Sequence, residues 1–244
     1  DVPVTIVGTS DIQMGPEGQD TLLTLLRECE TADQGVLYDG VGPGLAYIAR
    51  ERRENVDPAV VVDVAAGELA PDFAPTDDDQ RNVNEVTAKQ KGGSSVTVTD
   101  VDGPLGTRAI GTYDADITVN INAAARLRDY ASWLVHLGTV EGYRYPSVSA
   151  DLRSTPRRAA AWLAVRPSTR VTLANPSAVF AQLADEDISL LVEGTELTLS
   201  PYEWRVTAQC SPYDPWRVAV VAGQGGGTNP YVAHLDTVDS VLAE

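Results

Sequence analysis

The sequence predicts an α+β fold: mostly antiparallel β-structure with a curled sheet or small barrel, plus a small helix-on-sheet unit. Three observations support this. Residues 190–212 form two alternating runs on either side of a Ser-Pro-Tyr-Glu corner at 200–203. Short alternating runs recur along the chain, whereas helical spacing occurs in only a few segments. A curled sheet also removes exposed edges, which makes it an economical closure for many short strands.

The second run of this hairpin alternates between apolar and polar side chains. Its apolar side chains are Trp204, Val206, Ala208 and Cys210, and its polar ones are Arg205, Thr207 and Gln209. A period of two places such sets on opposite faces of a strand. Pro201, at the second position of the corner, has its φ angle preset for a type I turn. We therefore expect a hairpin with one solvated face and with Trp204 in the core.

The first predicted unit spans residues 1–75 and combines one helix with short strands. Asp20 is placed to cap the helix, whose apolar residues follow helical spacing. These apolar residues are Leu22, Leu25, Leu26 and Cys29. The predicted strands are residues 35–39, 45–50 and 59–67. Because the chain opens abruptly at Asp1, we expect it to be a piece of a longer protein.

An extended connector, residues 68–82, leads into the second predicted unit, a barrel-like domain with two helices at residues 76–222. Its strands are residues 84–91, 94–101, 115–122, 147–152 and 170–176, followed by the hairpin. Asn122 is placed to cap a helix that runs to Gly138, and Pro156 opens a second, short helix. Residues 223–244 are predicted to be a glycine-rich linker and a C-terminal tail.

The charge of the chain excludes two classes of partner. The 244 residues include 35 acidic and 18 basic side chains, for a net charge of −17. Such a surface gains nothing from counterion release on nucleic acid, and an anionic membrane repels it. No apolar run approaches the roughly 20 residues that a membrane-spanning helix needs. We therefore predict no specific nucleic-acid binding and no stable membrane binding.

Few residues could carry chemistry. His136 lies near a predicted helix C-terminus, where it interacts favourably with the helix dipole, and His234 lies in the tail. Cys29 and Cys210 are far apart in sequence and are interpreted as buried free thiols, with a disulfide as the alternative. Because no nucleophile motif accompanies these residues, we predict no catalytic residue and no enzyme activity.

Three further clusters are interpreted as loops. The run Asp77-Asp78-Asp79 lacks the alternating ligands and the glycine of a calcium loop. Gly92-Gly93-Ser94-Ser95 lacks the lysine and the helix of a phosphate loop. The glycines from Gly223 to Gly227 lack the strand-to-helix context of a dinucleotide site. We therefore predict no metal site and no cofactor site.

Two other functions rest on weaker patterns. A cell-wall hydrolase could pair carboxylates among Glu193, Glu196 and Glu203, but the first two fall on opposite faces of a strand. A carbohydrate-binding module would use the aromatic rings of the tryptophans. The four tryptophans are Trp133, Trp162, Trp204 and Trp216. We expect the last of them near a surface and the other three in the core.

Several segments, taken in order, resemble the tail-tip hub proteins of phages, the relatives of the contractile-phage baseplate hub and of siphophage tail-associated proteins. The hairpin, with its Ser-Pro corner, Trp-x-Val-Thr and final Cys-Ser-Pro, is similar to the closing hairpin of that family. The other segments that follow the family's order are residues 20–50, 77–95, 124–138, 147–152, 170–176 and 188–194. Residues 9–16 resemble hub-like minor tail proteins of actinobacterial phages.

The resemblance implies a non-enzymatic structural protein of the virion, located at the tail tip and assembled in the cytoplasm of the bacterial host. It implies a homo-oligomeric ring, three-fold in symmetry, that closes the tail tube and passes the tape measure and DNA. The implied partners are further copies, the distal tail protein or tail tube, and the tape-measure protein. The alternative is the hub of a phage-derived contractile injection particle or tailocin. From the charge, we expect acidic residues to outnumber basic ones on the lumen wall.

Overall fold

The computed structural model describes residues 3–40, 42–71, 73–77, 79–181, 183, 185–220 and 231–232. Its architecture confirms the predicted α+β fold, since most of its regular structure is β-sheet and one sheet is strongly curled into a half-barrel. Among the described residues, no helix is long and apolar enough to cross a membrane.

The regular elements are short and numerous. The strands are β1 (Val4–Val7), β2 (Val36–Asp39), β3 (Leu45–Ile48), β4 (Pro58–Asp63), β5 (Glu85–Gln90), β6 (Ser95–Thr99), β7 (Asp114–Val119), β8 (Ser147–Asp151), β9 (Arg170–Ala174), β10 (Ile188–Leu199), β11 (Trp204–Pro212), β12 (Ala219–Val220) and β13 (Tyr231–Val232). The helices are α1 (Leu22–Asp33), α2 (Thr107–Ile110), α3 (Leu127–Gly138) and α4 (Ala159–Ala164). Short 3₁₀ turns lie at Arg50–Arg53, Asp79–Arg81, Ala124–Arg126, Pro156–Arg158, Pro176–Ala178 and Asp214–Trp216.

The curled sheet has five strands in the order β4-β9-β10-β11-β8. Its β4–β9 pair is parallel and its other pairs are antiparallel. The predicted hairpin is confirmed as β10 and β11, and its corner closes with a 2.8 Å hydrogen bond from Ser200 N to Glu203 O. A bulge between Val192 and Gly194 shifts the register of β10, which is consistent with the flexible backbone of glycine.

Apolar side chains from all five strands and from α4 fill the inside of the curled sheet. Buried members of this core include Val60, Val62, Val148, Leu152, Trp162, Leu173, Leu190 and Val206. The predicted short helix is confirmed, because a 3₁₀ turn that opens at Pro156 leads into α4. Trp204 is half-buried and packs against this core, so its predicted place within the core is correct only in part.

The segment after β4, which the sequence predicts as an extended connector, runs beside the outer edge of β8. Ala70 N donates to Ser149 O at 2.9 Å. Farther along the segment, Thr76 and Arg144 exchange two backbone hydrogen bonds of 2.8 Å each. These contacts follow an antiparallel order, so the connector covers an edge that would otherwise be open to solvent.

Side chains anchor the same connector. The ring of Phe73 stacks on that of Tyr145, with centroids 5.3 Å apart and planes within 7° of parallel. The buried carboxylate of Glu68 accepts from Arg157 Nη2 at 2.6 Å and from Arg158 Nε at 3.2 Å. Stacking and charge-assisted hydrogen bonds therefore add to the backbone contacts that hold the connector against the sheet.

A second sheet has the order β6-β5-β7, and α3 packs across it. The predicted hairpin of β5 and β6 is confirmed, and β7 pairs with β5 in parallel. The prediction that Asn122 caps the following helix is wrong, since α3 begins at Leu127 after a 3₁₀ turn. Asn122 N instead donates to Gln13 O at 2.9 Å, and this pairing keeps the backbone extended.

Helix α3 packs on two sides. One side joins the core of the second sheet, and the other joins an aromatic cluster beneath β10. The residues of α3 in the first core are Leu127, Tyr130, Ala131, Leu134 and Val135, and those in the aromatic cluster are Trp133 and Leu137. Trp216 completes the cluster at 3% exposure, so its predicted surface position is wrong. Its ring meets that of Trp133 edge-on at 5.4 Å, because the 3₁₀ turn at Asp214–Trp216 folds it inward.

The third sheet has the order β1-β3-β2, and its β1 strand was not predicted. Helix α1 begins at Leu22, and the residue that caps it is Thr21, not Asp20 as expected. Thr21 Oγ1 accepts from Thr24 N at 3.2 Å, whereas the Asp20 carboxylate accepts from the adjacent Thr21 N. The predicted apolar face of α1 is only partly buried, because Leu22 is more than half exposed.

The strand β4, which the sequence places in the first unit, pairs with β9 of the second unit. The division of the chain at residue 75 stays a prediction. The predicted linker and tail at 223–244 lie outside the described residues, apart from Tyr231 and Val232.

Candidate functional site

Among the described residues, one histidine and two cysteines could be considered for acid–base or nucleophilic chemistry. His136 Nε2 lies 3.0 Å from the carbonyl oxygen of Pro215, so this nitrogen donates to it. Cys29 and Cys210 are free thiols, as predicted, although Cys29 is only half-buried. Burial raises the pKa of the Cys210 thiol to about 12 and also raises that of Cys29. Both thiols stay protonated at neutral pH, which makes them poor nucleophiles.

The two described aspartates of the run at 77–79 do not belong to a cluster of metal ligands. Asp77 and Asp79 are exposed, and Asp78 lies outside the described residues. Asp79 accepts a hydrogen bond of 3.0 Å from the hydroxyl of Tyr113. Within the part of the chain that the structure describes, no three histidine, cysteine or acidic side chains are grouped as metal ligands would be.

Of the two glycine-rich segments considered as binding loops, the structure describes one. Gly92 and Gly93 form the β5–β6 turn, where Gly92 has a φ of +71° and Gly93 N donates to Gln90 O at 2.9 Å. His234 and the glycines from Gly223 to Gly227 lie outside the described residues.

Glu193, one of the three carboxylates considered for a hydrolase, belongs to a partly buried joint with Arg53. It occupies the bulge of β10, where Arg53 Nη2 donates to both of its oxygens at 2.6 and 2.7 Å. Ser211 Oγ donates to the same carboxylate at 2.7 Å. The buried Arg53 guanidinium also lies 4.1 Å from the centre of the Trp216 ring. This joint ties the turn after β3 to the curled sheet.

The other two carboxylates lie farther along the hairpin and do not converge with Glu193. Glu203 pairs with Arg205 at 3.2 Å. Glu196 is exposed, and its side chain makes no hydrogen bond or ion pair among the described residues. The three carboxylates therefore do not form the opposed pair that glycoside cleavage requires.

Two clefts flank α3. A cleft of about 480 Å³ lies beside the Arg53–Glu193 joint, and its lining includes Arg81, Arg144 and Cys210. A groove of about 670 Å³ lies on the other side, lined by polar side chains that include Asp11, Arg50, Glu54, Arg126, Ser132 and His136.

Charges in the larger groove are largely paired within the chain. Arg50 Nε lies 3.5 Å from Glu54, and Arg126 lies 3.0 Å from Asp11. Burial raises the pKa of Glu54, and the nearby Arg50 partly offsets that effect. The groove is therefore a polar boundary between α3 and the turn after β3, in which most charged side chains are paired.

The most exposed apolar side chains lie on the hairpin. In β10, β9 pairs only with Ile188–Leu191, so residues 194–199 have β11 on one side and nothing described on the other. We call residues 194–199 the β10 edge. Leu199 is 72% exposed, and Tyr202 in the adjoining corner is 85% exposed. Exposed apolar patches are typical of interaction surfaces.

The backbone of the β10 edge is also open. Ser200 and Glu203 exchange hydrogen bonds, so by antiparallel alternation the N–H and C=O groups of Thr195, Leu197 and Leu199 point away from β11. Leu197 and Leu199 share the inner face of the sheet with the buried Val206, yet both are at least half exposed. At this end of the hairpin, the inner face of the curled sheet therefore carries apolar side chains that the core does not cover.

Positive charge is concentrated in one segment. Residues 152–184 contain no acidic side chain, although the chain as a whole carries −17. Their arginines are Arg153, Arg157, Arg158, Arg166 and Arg170. Arg166 Nη1 donates to the carbonyl oxygens of Leu163 and Val165 rather than to a carboxylate. Residues 152–184, which include α4, are therefore a basic segment of an otherwise acidic chain, although Arg157 and Arg158 are paired with Glu68. We call this segment the basic region around α4.

Comparisons with known proteins identify the fold. No protein-family model matches the chain, and no curated protein matches its sequence. Two similar solved structures are a 43 kDa tail protein of prophage MuSo2 from Shewanella oneidensis and a tail protein from Neisseria meningitidis MC58. The first has a TM-score of 0.55 at 13% sequence identity, and the second has a TM-score of 0.57 at 11% identity.

The match to these two proteins covers most of this chain but a smaller part of each of theirs. It covers 87% of this chain in both cases, but only 61% and 62% of the other chains. The chain thus spans about three fifths of the length of the solved structures that it matches. At such low identity, the likeness establishes a shared fold.

Proposed function

We propose that this chain is a structural component of a phage tail, part of the hub that closes the tail tube at its tip. The observation that carries the proposal is the fold shared with two tail proteins over 87% of the chain. The exposed β10 edge supports it, since a protein that works by assembly needs surfaces that further chains can cover.

The mechanism that we propose is mechanical. Several copies join into a closed ring, which contacts the distal tail protein or tail tube, and the tape measure and DNA pass through the lumen. A net charge of −17 suits such a channel, because an acidic wall offers DNA phosphates no attractive contacts. In this arrangement, the basic region around α4 faces away from the lumen or takes part in contacts between copies.

The proposal includes no catalytic step. The thiols are protonated, His136 Nε2 is engaged by a backbone carbonyl, and the three hairpin carboxylates do not converge. A zymogram on host cell wall tests this point, and we expect no cleared band. Clearing that is lost on Glu203→Gln would contradict it.

The main test is genetic. The gene is deleted from the genome that carries it, and lysates are examined by electron microscopy. We expect heads without complete tails, and recovery of tails when the gene is supplied in trans. Antibody against the chain should then label the distal end of the recovered tails. Complete, infectious tails in the deletion strain would overturn the proposal.

The same fold serves the alternative, a hub of a phage-derived contractile injection particle or tailocin. Electron microscopy of the lysates also distinguishes this alternative from a phage tail. Particles with a contractile sheath and no DNA-filled head would favour the alternative, whereas tails attached to filled heads favour the phage.

A further inference from the structure

Three exposed apolar side chains draw attention to two strand edges. Tyr202, Leu199 and Ile6 are the most exposed large apolar residues of the described chain, at 85%, 72% and 67%. The first two lie at the β10 edge. Ile6 lies on β1, which pairs with β3 on one side and has no described partner on the other.

The backbone of β1 is open in the same way as the β10 edge. Pro3 O accepts from Leu45 N, and Val7 O accepts from Ala49 N, each at 3.0 Å. Since successive residues of a strand point their polar groups to opposite sides, Val4 and Ile6 direct their N–H and C=O groups away from β3. We call residues 4–7 the β1 edge.

One charge without a polar partner among the described residues lies on the β10 edge, a second lies next to the β1 edge, and the two charges are opposite. Glu196 lies within the β10 edge. Arg52 lies against Gly8, directly after the β1 edge, and its guanidinium makes no hydrogen bond or ion pair in the described structure. The nearby Glu51 carboxylate is already engaged by the backbone and hydroxyl of Thr9, at 2.7 and 2.9 Å.

We propose that the β10 edge of one copy pairs with the β1 edge of a second copy, which adds a strand across the interface. The exposed leucines would cover Ile6, the outward backbone groups would pair, and Glu196 would meet Arg52. This inference rests on the proposed function, because it supplies the contact between copies of the ring. A contact between two different edges is heterologous, and repeated contacts of that type generate rings.

Pairing of identical edges is disfavoured by charge. Two β10 edges would bring Glu196 near Glu196, and two β1 edges would bring Arg52 near Arg52. Like charges placed opposite each other destabilise a strand pair. Each edge is therefore expected to pair with the other kind of edge on a second copy.

Disulfide trapping tests the geometry. A chain carrying Ile6→Cys is mixed with a differently tagged chain carrying Leu197→Cys, at high concentration and in assembled tails, and is mildly oxidised. We expect a crosslinked band that contains both tags. The unmodified chain sets the background from Cys29 and Cys210, and Ile6→Cys mixed with Val101→Cys controls for random collision. Crosslinking no stronger than these controls, or a dimer formed by Leu197→Cys alone, would overturn the inference.

Charge exchange tests the pairing. Glu196→Arg and Arg52→Glu should each weaken association of copies about tenfold or more, measured by sedimentation, and the double variant should recover most of the loss. The matched controls Glu186→Arg and Arg128→Glu change the same charges at other exposed positions and should have little effect. Single variants that associate like the controls, or a double variant weaker than both singles, would contradict the inference.

The two proposals can fail separately. Normal tails in the gene deletion remove the tail function, whatever the edges do. Missing tails in the deletion, together with no specific crosslink, retain the tail function and remove only the proposed edge pairing.

Discussion

At the scale of single residues, Arg53 shows how one side chain connects distant parts of the chain. Its guanidinium is buried, bonded to Glu193 across 140 positions of sequence and packed over the ring of Trp216. A buried charge is tolerated only when it is paired, whereas the partly exposed Glu193 could still be hydrated alone.

This asymmetry gives a prediction about the joint. Glu193→Ala leaves a buried guanidinium without its counter-charge and should cost about 3 kcal/mol or more of unfolding free energy. Arg53→Met removes the charge, keeps an apolar stem against Trp216, and should cost about 1–2 kcal/mol. Urea denaturation of both variants measures the difference. An Arg53→Met variant as unstable as Glu193→Ala would contradict it.

Glu68 gives a prediction about pH. Burial alone would raise the pKa of its carboxyl, but hydrogen bonds from the Asp63 backbone, Arg157 and Arg158 outweigh that effect and lower the pKa to about 2. The usual value is 4.5. A carboxyl whose pKa is lower in the folded state stabilises the fold above its unfolded pKa, and that stabilisation is lost as pH falls.

We therefore expect the unmodified chain to lose stability between about pH 4.5 and pH 2, and Glu68→Gln to lose less over that window. At neutral pH, Glu68→Gln should be less stable by about 1–3 kcal/mol, because two arginines and a backbone N–H lose an ionised acceptor. Denaturation midpoints at several pH values measure both effects, with the exposed Glu186→Gln as the control. Parallel pH profiles for Glu68→Gln and the unmodified chain would count against this role.

At the scale of elements, the hairpin of β10 and β11 has a buried base and an exposed end. β8 pairs with β11 on the side away from β10, but β9 pairs with only the first four residues of β10. Along the β10 edge, the side chains on the inner face are not covered by the core. Trp204 lies at this boundary, which is why it is half-buried, whereas Trp162 on α4 lies at the centre of the core.

The two tryptophans should therefore differ in their effect on stability. Trp162→Ala leaves a cavity in a closed core and should cost about 3–5 kcal/mol. Trp204→Ala removes contacts from one side only and should cost about 2 kcal/mol. Urea unfolding of the two variants, with Tyr202→Ala as an exposed control, gives the comparison. A larger loss for Trp204→Ala would mean that the end of the hairpin is more enclosed than its exposure indicates.

At the scale of the whole molecule, the net charge is an unfavourable contribution to stability that can be read from the composition. A net charge of −17 on 244 residues produces self-repulsion, and the basic region around α4 offsets it only locally. Salt screens long-range repulsion between exposed charges more than it weakens short, partly buried pairs such as Arg53–Glu193.

The chain should therefore gain stability as salt is added. We expect its Tm to rise by about 3–6 °C between about 10 mM and about 500 mM sodium chloride. Calorimetry measures this, and a Tm that falls over that range would show that surface ion pairs outweigh the repulsion. Sodium chloride is preferred to sulfate, which stabilises proteins by a separate exclusion effect.

The sequence by itself determined the features that neighbouring residues control. The alternation in β10 and β11, the glycine turn at 92–93 and the helical turn opened by Pro156 all follow from interactions within a few positions, so their patterns survive in the sequence. The free state of Cys29 and Cys210 also agrees with their wide separation in sequence.

Only the tertiary structure decided which distant segments meet. The pairing of β4 with β9, the burial of Trp216 beneath Arg53 and the partner of Glu193 each join segments about a hundred positions or more apart. No local pattern encodes such contacts, because they depend on where the whole chain places each surface. The exposure of Leu199 has the same origin: alternation correctly predicted its strand, but only the short length of β9 leaves that strand uncovered.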